Sequence, residues 1–264
     1  MLVVISPAKR LDWSDRSVSM TTPDFLKEAN TLASHARQLT LGKLKGLMDL
    51  SDDLARLNRD RFRNFDANPD ADAQRPAVFA FAGDTYLGLE AQSMDQMALD
   101  YAQDHLRILS GLYGVLRPMD AIQPYRLEMG SRLKTRRGKN LYDFWRDVPA
   151  KSLNQTAEET GSNVLVNCAS QEYFGAVDQK RLKPKLIETA FYEIKNGTPK
   201  MISFFAKKAR GSMARFIVEN RVRDVDGLKD FDLGGYTYDA KESTESRLVF
   251  SRQDTMAQPL KAAS

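Results

Sequence analysis

Leu109-Ser110-Gly111-Leu112-Tyr113-Gly114-Val115 carries the strongest structural signal in the chain. Residues 94–109 ahead of it repeat apolar side chains at helical spacing through Met97, Ala98, Tyr101, Ala102, Leu106 and Leu109. Two glycines that bracket two hydrophobic residues between apolar segments predict a helix-hairpin-helix element. In such an element the glycines let the backbone approach a phosphate, and the amides of the second helix point outward with the positive end of its dipole. Leu112 would plug the hairpin into the core and Arg117 would add a charge one turn on. Pro118 is tolerated there only in a first turn. A plain connection between helices with a glycine cap needs the same residues, so the spacing leaves both readings open.

Around that centre the chain reads as one mixed body. Leu2-Val3-Val4-Ile5, Ala77-Val78-Phe79-Ala80-Phe81 and Val164-Leu165-Val166 are short runs too apolar for surface strands. Thr22-Pro23-Asp24 opens a helical pattern, and a second amphipathic stretch runs from Leu44 to Leu57. Residues 187–194 and 200–205 read as strands joined at Asn196-Gly197, a pair suited to positive φ. A helix over 206–222 follows, with Met213, Phe216, Ile217 and Val218 on its apolar face. A second hairpin pairs 236–239 with 248–250. The expected class is therefore α+β, one domain over residues 1–257 with short buried strands and two hairpins, ending in a flexible tail over 258–264.

Composition narrows the function classes. The 264 residues hold 39 Lys plus Arg against 35 Asp plus Glu, a net charge of +4 that permits a nucleic-acid partner without demanding one. Cys168 is the only cysteine, which excludes an internal disulfide and a thiolate metal cluster. No basic leader and no apolar run of about 18 residues occurs, so the expectation is a cytoplasmic protein with no membrane contact. A Walker loop and a G-x-G-x-x-G string are both lacking, so no nucleotide cofactor is expected. His35 and His105 lack the spacing of a metal site, and none is expected.

Two basic clusters stand out. Phe204-Phe205-Ala206-Lys207-Lys208-Ala209-Arg210-Gly211 sets three cations at an expected helix start, where the dipole disfavours them unless an anion is near. Lys134, Arg136, Arg137 and Lys139 form the other, in a turn-like block. Solvated surface charge is the plainer account of both. Ser6-Pro7-Ala8-Lys9 matches S-x-x-K, but the S-D-N and K-T-G partners of that acylation motif are missing. Lys9 still leaves a strand at its carboxyl end, where ligands gather. Asp84 follows the second apolar run, and Arg126, Glu128, Glu172 and Tyr173 lie near turns. Such groups build active sites, and they equally serve as caps and ion pairs.

Taken in order, Ile5-Ser6-Pro7-Ala8-Lys9, Gly83-Asp84, residues 109–118, Pro124-Tyr125-Arg126-Leu127-Glu128-Met129-Gly130 and residues 203–211 give the chain a resemblance to the YaaA family of bacterial peroxide-stress proteins. The resemblance implies a cytoplasmic protein that limits unincorporated iron, and hence hydroxyl-radical damage, during peroxide stress. It also implies a family-specific α+β fold with a helix-hairpin-helix and a positively charged cleft that binds DNA. On this chain the expected DNA contacts are Ser110, Gly111, Leu112, Tyr113, Gly114 and Arg117, with Lys134, Arg136, Arg137, Lys207, Lys208 and Arg210. Lyase-type glycosylases with this element place a lysine just after the hairpin, whereas here Val115-Leu116-Arg117 fills the position, and a guanidinium is no amine nucleophile at neutral pH.

The expected partner is double-stranded or structured DNA, held mainly through its phosphates, with no protein partner. The rival expectation is an enzyme acting in a cleft built from Lys9, Asp84, Arg126, Glu128, Glu172 and Lys207, with Lys9, Asp84 and Glu172 as its catalytic candidates.

Overall fold

In the computed structural model, which describes residues 1–16 and 18–253, the apolar run Leu2–Ile5 forms β1. All four side chains are buried, and parallel strands flank β1 on both edges. That is why no polar alternation marks it. The remaining strands of the same sheet are β2 (Leu106–Ser110), β3 (Gly114–Leu116), β4 (Val164–Cys168), β5 (Lys185–Lys195), β6 (Thr198–Lys200), β7 (Thr237–Tyr238) and β8 (Arg247–Gln253). Their order is β7-β8-β5-β4-β1-β2-β3, with β6 paired to β5. β8, β5, β4, β1 and β2 run parallel, while β3, β6 and β7 are antiparallel additions.

The helices that matter for the site are α1 (Leu26–Arg37), α2 (Leu41–Met48), α3 (Asp52–Asn64), α4 (Asp84–Leu89), α5 (Gln96–His105), α6 (Leu141–Trp145), α7 (Val148–Glu159) and α8 (Ser203–Glu219). α8 buries Met213, Ile217 and Val218, each contributing on the order of 1.5–3 kcal/mol. Phe216, on the predicted apolar face, is half-buried against the same core. α4 lies directly on α8. A Cβ on Gly88 would sit 2.0 Å from the Lys208 carbonyl oxygen, and one on Gly211 would sit 1.8 Å from that of Thr85. Only glycine admits that backbone contact.

A mixed α/β body around one core agrees with the reading from sequence, and so do β1, β4 and both hairpins. The helix-hairpin-helix at residues 110–114 is corrected. The helix ahead of it stops at His105, and β2 and β3 form an antiparallel hairpin with Ser110 opposite Gly114. Its glycines serve packing. Gly114 has a φ of +72°, and a Cβ there would lie 2.7 Å from the Trp145 ring. A Cβ on Gly111 would lie 2.3 Å from the Leu127 carbonyl oxygen. Ser110, Leu112 and Tyr113 are buried, so this turn presents nothing to a phosphate.

Smaller boundaries also move. Residues 77–80 make a helical turn rather than a strand, because an apolar run without alternation suits either form. Residues 200–205 are not a strand throughout: β6 ends at Lys200 and α8 begins at Ser203. Lys207, Lys208 and Arg210 therefore fall beyond the first turn, where the dipole penalty inferred from sequence has faded. The stretch 44–57 is two helices, broken at Asp49, whose φ of 48° is left-handed. The tail expected over 258–264 lies outside the described residues.

Candidate functional site

The chain leaves β1 for β2 on one side and leaves β4 for β5 on the other, so the strand order reverses between β1 and β4. Neighbouring parallel strands with diverging connections open a crevice at their carboxyl ends. A cleft of about 490 Å³ occupies that position. Residues 6–10 leave β1 into it, and Cys168, Ser170, Glu172 and Tyr173 leave β4 into it. Residues 82–85 bring the start of α4, and α8 contributes Lys207 and Arg210. The glycine contact between α4 and α8 sets the spacing of these two walls.

The floor is held by short polar contacts. The Ser170 amide donates to Ser6 Oγ at 2.8 Å, and the Tyr86 hydroxyl donates to the Ser6 carbonyl at 3.3 Å. Lys9 Nζ lies 2.8 Å from Glu128 Oε2. Glu128 Oε1 in turn accepts from Arg126 Nε at 3.1 Å and Nη2 at 2.9 Å. Glu172 Oε1 accepts from the Gly130 amide at 2.9 Å, which leaves its second oxygen for other partners. Asp84, half-buried at the start of α4, has no hydrogen bond or ion pair among the described residues. The same holds for the side chains of Arg10, Lys207 and Arg210.

The ionisation states follow from burial. The Cys168 thiol is pushed up to about 12, first by burial and then by the Glu188 carboxylate, against the pull of Thr189 and Arg210. It is therefore a neutral thiol at physiological pH, neither nucleophile nor ready metal ligand. Burial also raises Tyr86 and Tyr173 far above the ordinary phenol range. Glu188, bonded by the Asn167 amide, is raised by burial as well. Basic side chains, carboxylates and neutral hydroxyls face the cleft together. The arrangement is suited to holding an anion that also carries hydrogen-bond donors.

The residues named from sequence divide clearly. Lys9, Asp84, Glu172, Lys207 and Arg210 line the cleft, and Arg126 and Glu128 stand behind Lys9. Lys208 is exposed on α8 but does not line it. Arg117 is engaged elsewhere, bonding Asp120 at 2.9 Å and the Thr22 carbonyl at 2.7 Å. Lys134, Arg136, Arg137 and Lys139 sit on an exposed turn anchored to α6 and α1. There Arg137 lies 4.8 Å over the Phe144 ring and 3.5 Å from Glu28. None of the four lines the cleft, so the two basic clusters do not meet in it. Sequence reasoning overlooked Arg10 and Ser170. Arg10 was signalled by its place directly after Lys9 at a strand end, and Ser170 by opening the helical turn after β4.

A tight helical hairpin does occur, in a different place. Asp49 ends α2, Leu50 is buried between the helices, and the Ser51 hydroxyl caps α3 by accepting from the Leu54 amide at 3.4 Å. Asp52 and Asp53 occupy the first turn of α3, and Asp52 pairs with Lys45 at 2.6 Å.

Fold and cleft together define a mixed α/β protein with a cation-rich crevice at the switch point of a mostly parallel sheet. Residues 1–242 match the family described as peroxide stress protein YaaA. A UPF0246 protein of Roseobacter denitrificans is 64% identical over 254 residues, covering 96% of this chain and 98% of that protein. One from Ruegeria pomeroyi is 65% identical over 252 residues, with 96% and 98% covered. A third, from Caulobacter vibrioides, is 53% identical over 254 residues, with 96% and 99% covered. The chain belongs to the YaaA family of peroxide stress proteins.

Proposed function

We propose that this protein serves the response to hydrogen peroxide by binding DNA through its phosphates in the cleft, and so helps to limit free iron and oxidative damage to DNA. One observation carries the reading. Arg10, Lys207 and Arg210 converge on a single cleft with Lys9, and the first three have no ion pair among the described residues. These three unpaired cations outnumber the free carboxylates beside them, Asp84 and Glu172, so they repel one another in part, and an anion relieves that repulsion. The family supplies the peroxide context, and phosphate is the anion that DNA offers in quantity.

The α2–α3 hairpin has the shape of a helix-hairpin-helix, but Asp52 and Asp53 already satisfy the α3 dipole and would repel a phosphate. The cleft is the better anchor. Labelled duplex, titrated at several salt concentrations, tests the assignment. Lys207→Ala with Arg210→Ala is expected to flatten the slope of log K against log salt by about 1.8, or about 0.9 for each phosphate contact removed. An unchanged slope in the folded double variant overturns it.

A further inference from the structure

We infer that the cleft takes one unpaired nucleotide of a DNA strand, with its base stacked on Phe204, rather than the flank of an intact duplex. This rests on the DNA-binding reading and narrows it. The volume is the first ground. About 490 Å³ lies within the range that holds one small organic molecule, and a base inside a duplex is not available to such a space. The second ground is Phe204 itself. Phe204 is 47% exposed in the first turn of α8; it does not line the cleft itself but flanks it, one turn before the lining residue Lys207 and on the same helix face. Phe205 packs against it in a T-shaped pair with ring centroids 5.4 Å apart, which fixes the orientation of the ring. An aromatic face beside a cation is the standard platform for an unstacked base.

The third ground is the charge pattern within the cleft. Cations alone would suit a phosphate, yet Asp84 and Glu172 also face the space. A carboxylate accepts from the exocyclic amine of cytosine or adenine. Phosphate on Lys207 and Arg210, base on Phe204 and amine toward Asp84 would give every group of one nucleotide a counterpart.

The test compares three probes by anisotropy and by 2-aminopurine fluorescence: a single strand, a duplex with one bulged 2-aminopurine, and the fully paired duplex. The strand and the bulge are expected to bind at least tenfold more tightly than the paired duplex, with the fluorophore quenched on binding. Phe204→Ala should lower affinity for the first two by about tenfold and leave the paired duplex unchanged, since base–aromatic stacking is of that size. Phe204→Trp should restore the preference. Equal binding of all three probes, unaffected by Phe204→Ala, overturns the inference and leaves the DNA-binding reading standing. Binding of no probe removes both. A deoxynucleoside monophosphate that competes as well as the strand would show a small-molecule site instead, and overturns the inference too.

Discussion

Replacing Gly211 by alanine tests the packing on which the cleft depends. The added Cβ would lie 1.8 Å from the Thr85 carbonyl oxygen. A carbon and a carbonyl oxygen approach no closer than about 3.3 Å, so α4 and α8 must part by roughly 1.5 Å. Overpacking of this kind typically costs about 1–3 kcal/mol, and the upper end applies because the obstacle is backbone rather than a movable side chain. For a chain of this size about 3 kcal/mol corresponds to a fall in Tm of roughly 6–12 °C. Circular dichroism on heating reads that directly. Gly46→Ala is the matched control, because a Cβ there meets nothing within 4 Å in the interior of α2. That substitution should hold or raise Tm, since alanine is the better helix former by about 1 kcal/mol. The parting also moves the Asp84 wall away from the Lys207 and Arg210 wall, so Gly211→Ala should weaken DNA binding as well. A Gly211→Ala protein that melts within 2 °C of the parent (roughly 0.5–1 kcal/mol) would refute the backbone contact between these helices.

Two further expectations concern titration and reactivity. Cys168 should resist a thiol reagent such as dithionitrobenzoate at pH 8 in the folded protein and react fully in denaturant, because burial holds it as a thiol with a pKa of about 12. Rapid reaction of the native protein would mean that the floor of the cleft opens. Burial lowers the His105 pKa from 6.5, so on acidification the unfolded chain takes up the proton first. The stability it contributes is present above about pH 6.5 and is lost as pH falls through the folded value. Urea midpoints at pH 7.5 and 5.5 should differ less in His105→Gln than in the parent, and identical differences would exclude His105 as the source.

The parts of the fold that were legible in the sequence each had one local cause. β1 and β4 are unbroken apolar runs, and Asn196-Gly197 marks the β5–β6 turn, where Asn196 has a φ of 51° and Gly197 one of 76°. β2 was hidden because Leu106 and Leu109 continue the spacing of Tyr101 and Ala102, so a strand of five residues reads as the last turn of the helix before it. That single misreading put a helical hairpin where Trp145 and the Leu127 carbonyl require glycine in a β-turn. Part of the cleft was readable: Lys9 from the rule that ligands gather at strand ends, Asp84 from following an apolar run and Glu172 from lying near a turn. No local pattern could reveal that Lys207 and Arg210 face the same space while Lys134 to Lys139 do not. That depends on how α8 crosses the sheet.

The position of β1 also has a consequence for how the molecule is made. Its two neighbours in the sheet pair through Leu106 and Leu165, so β1 emerges long before either partner exists. At about 5–20 residues per second, synthesis leaves Leu2–Ile5 without an edge to join for roughly 5 s or more. A bare, uncharged, β-prone segment is a seed for aggregation during that interval. Closing so long a loop is also slow, because its entropy is lost before the contacts are gained. Holdase chaperones that mask apolar segments on nascent chains should therefore raise the soluble yield of this protein, and a charge placed in β1 could not substitute for them, since the finished sheet buries every one of its side chains.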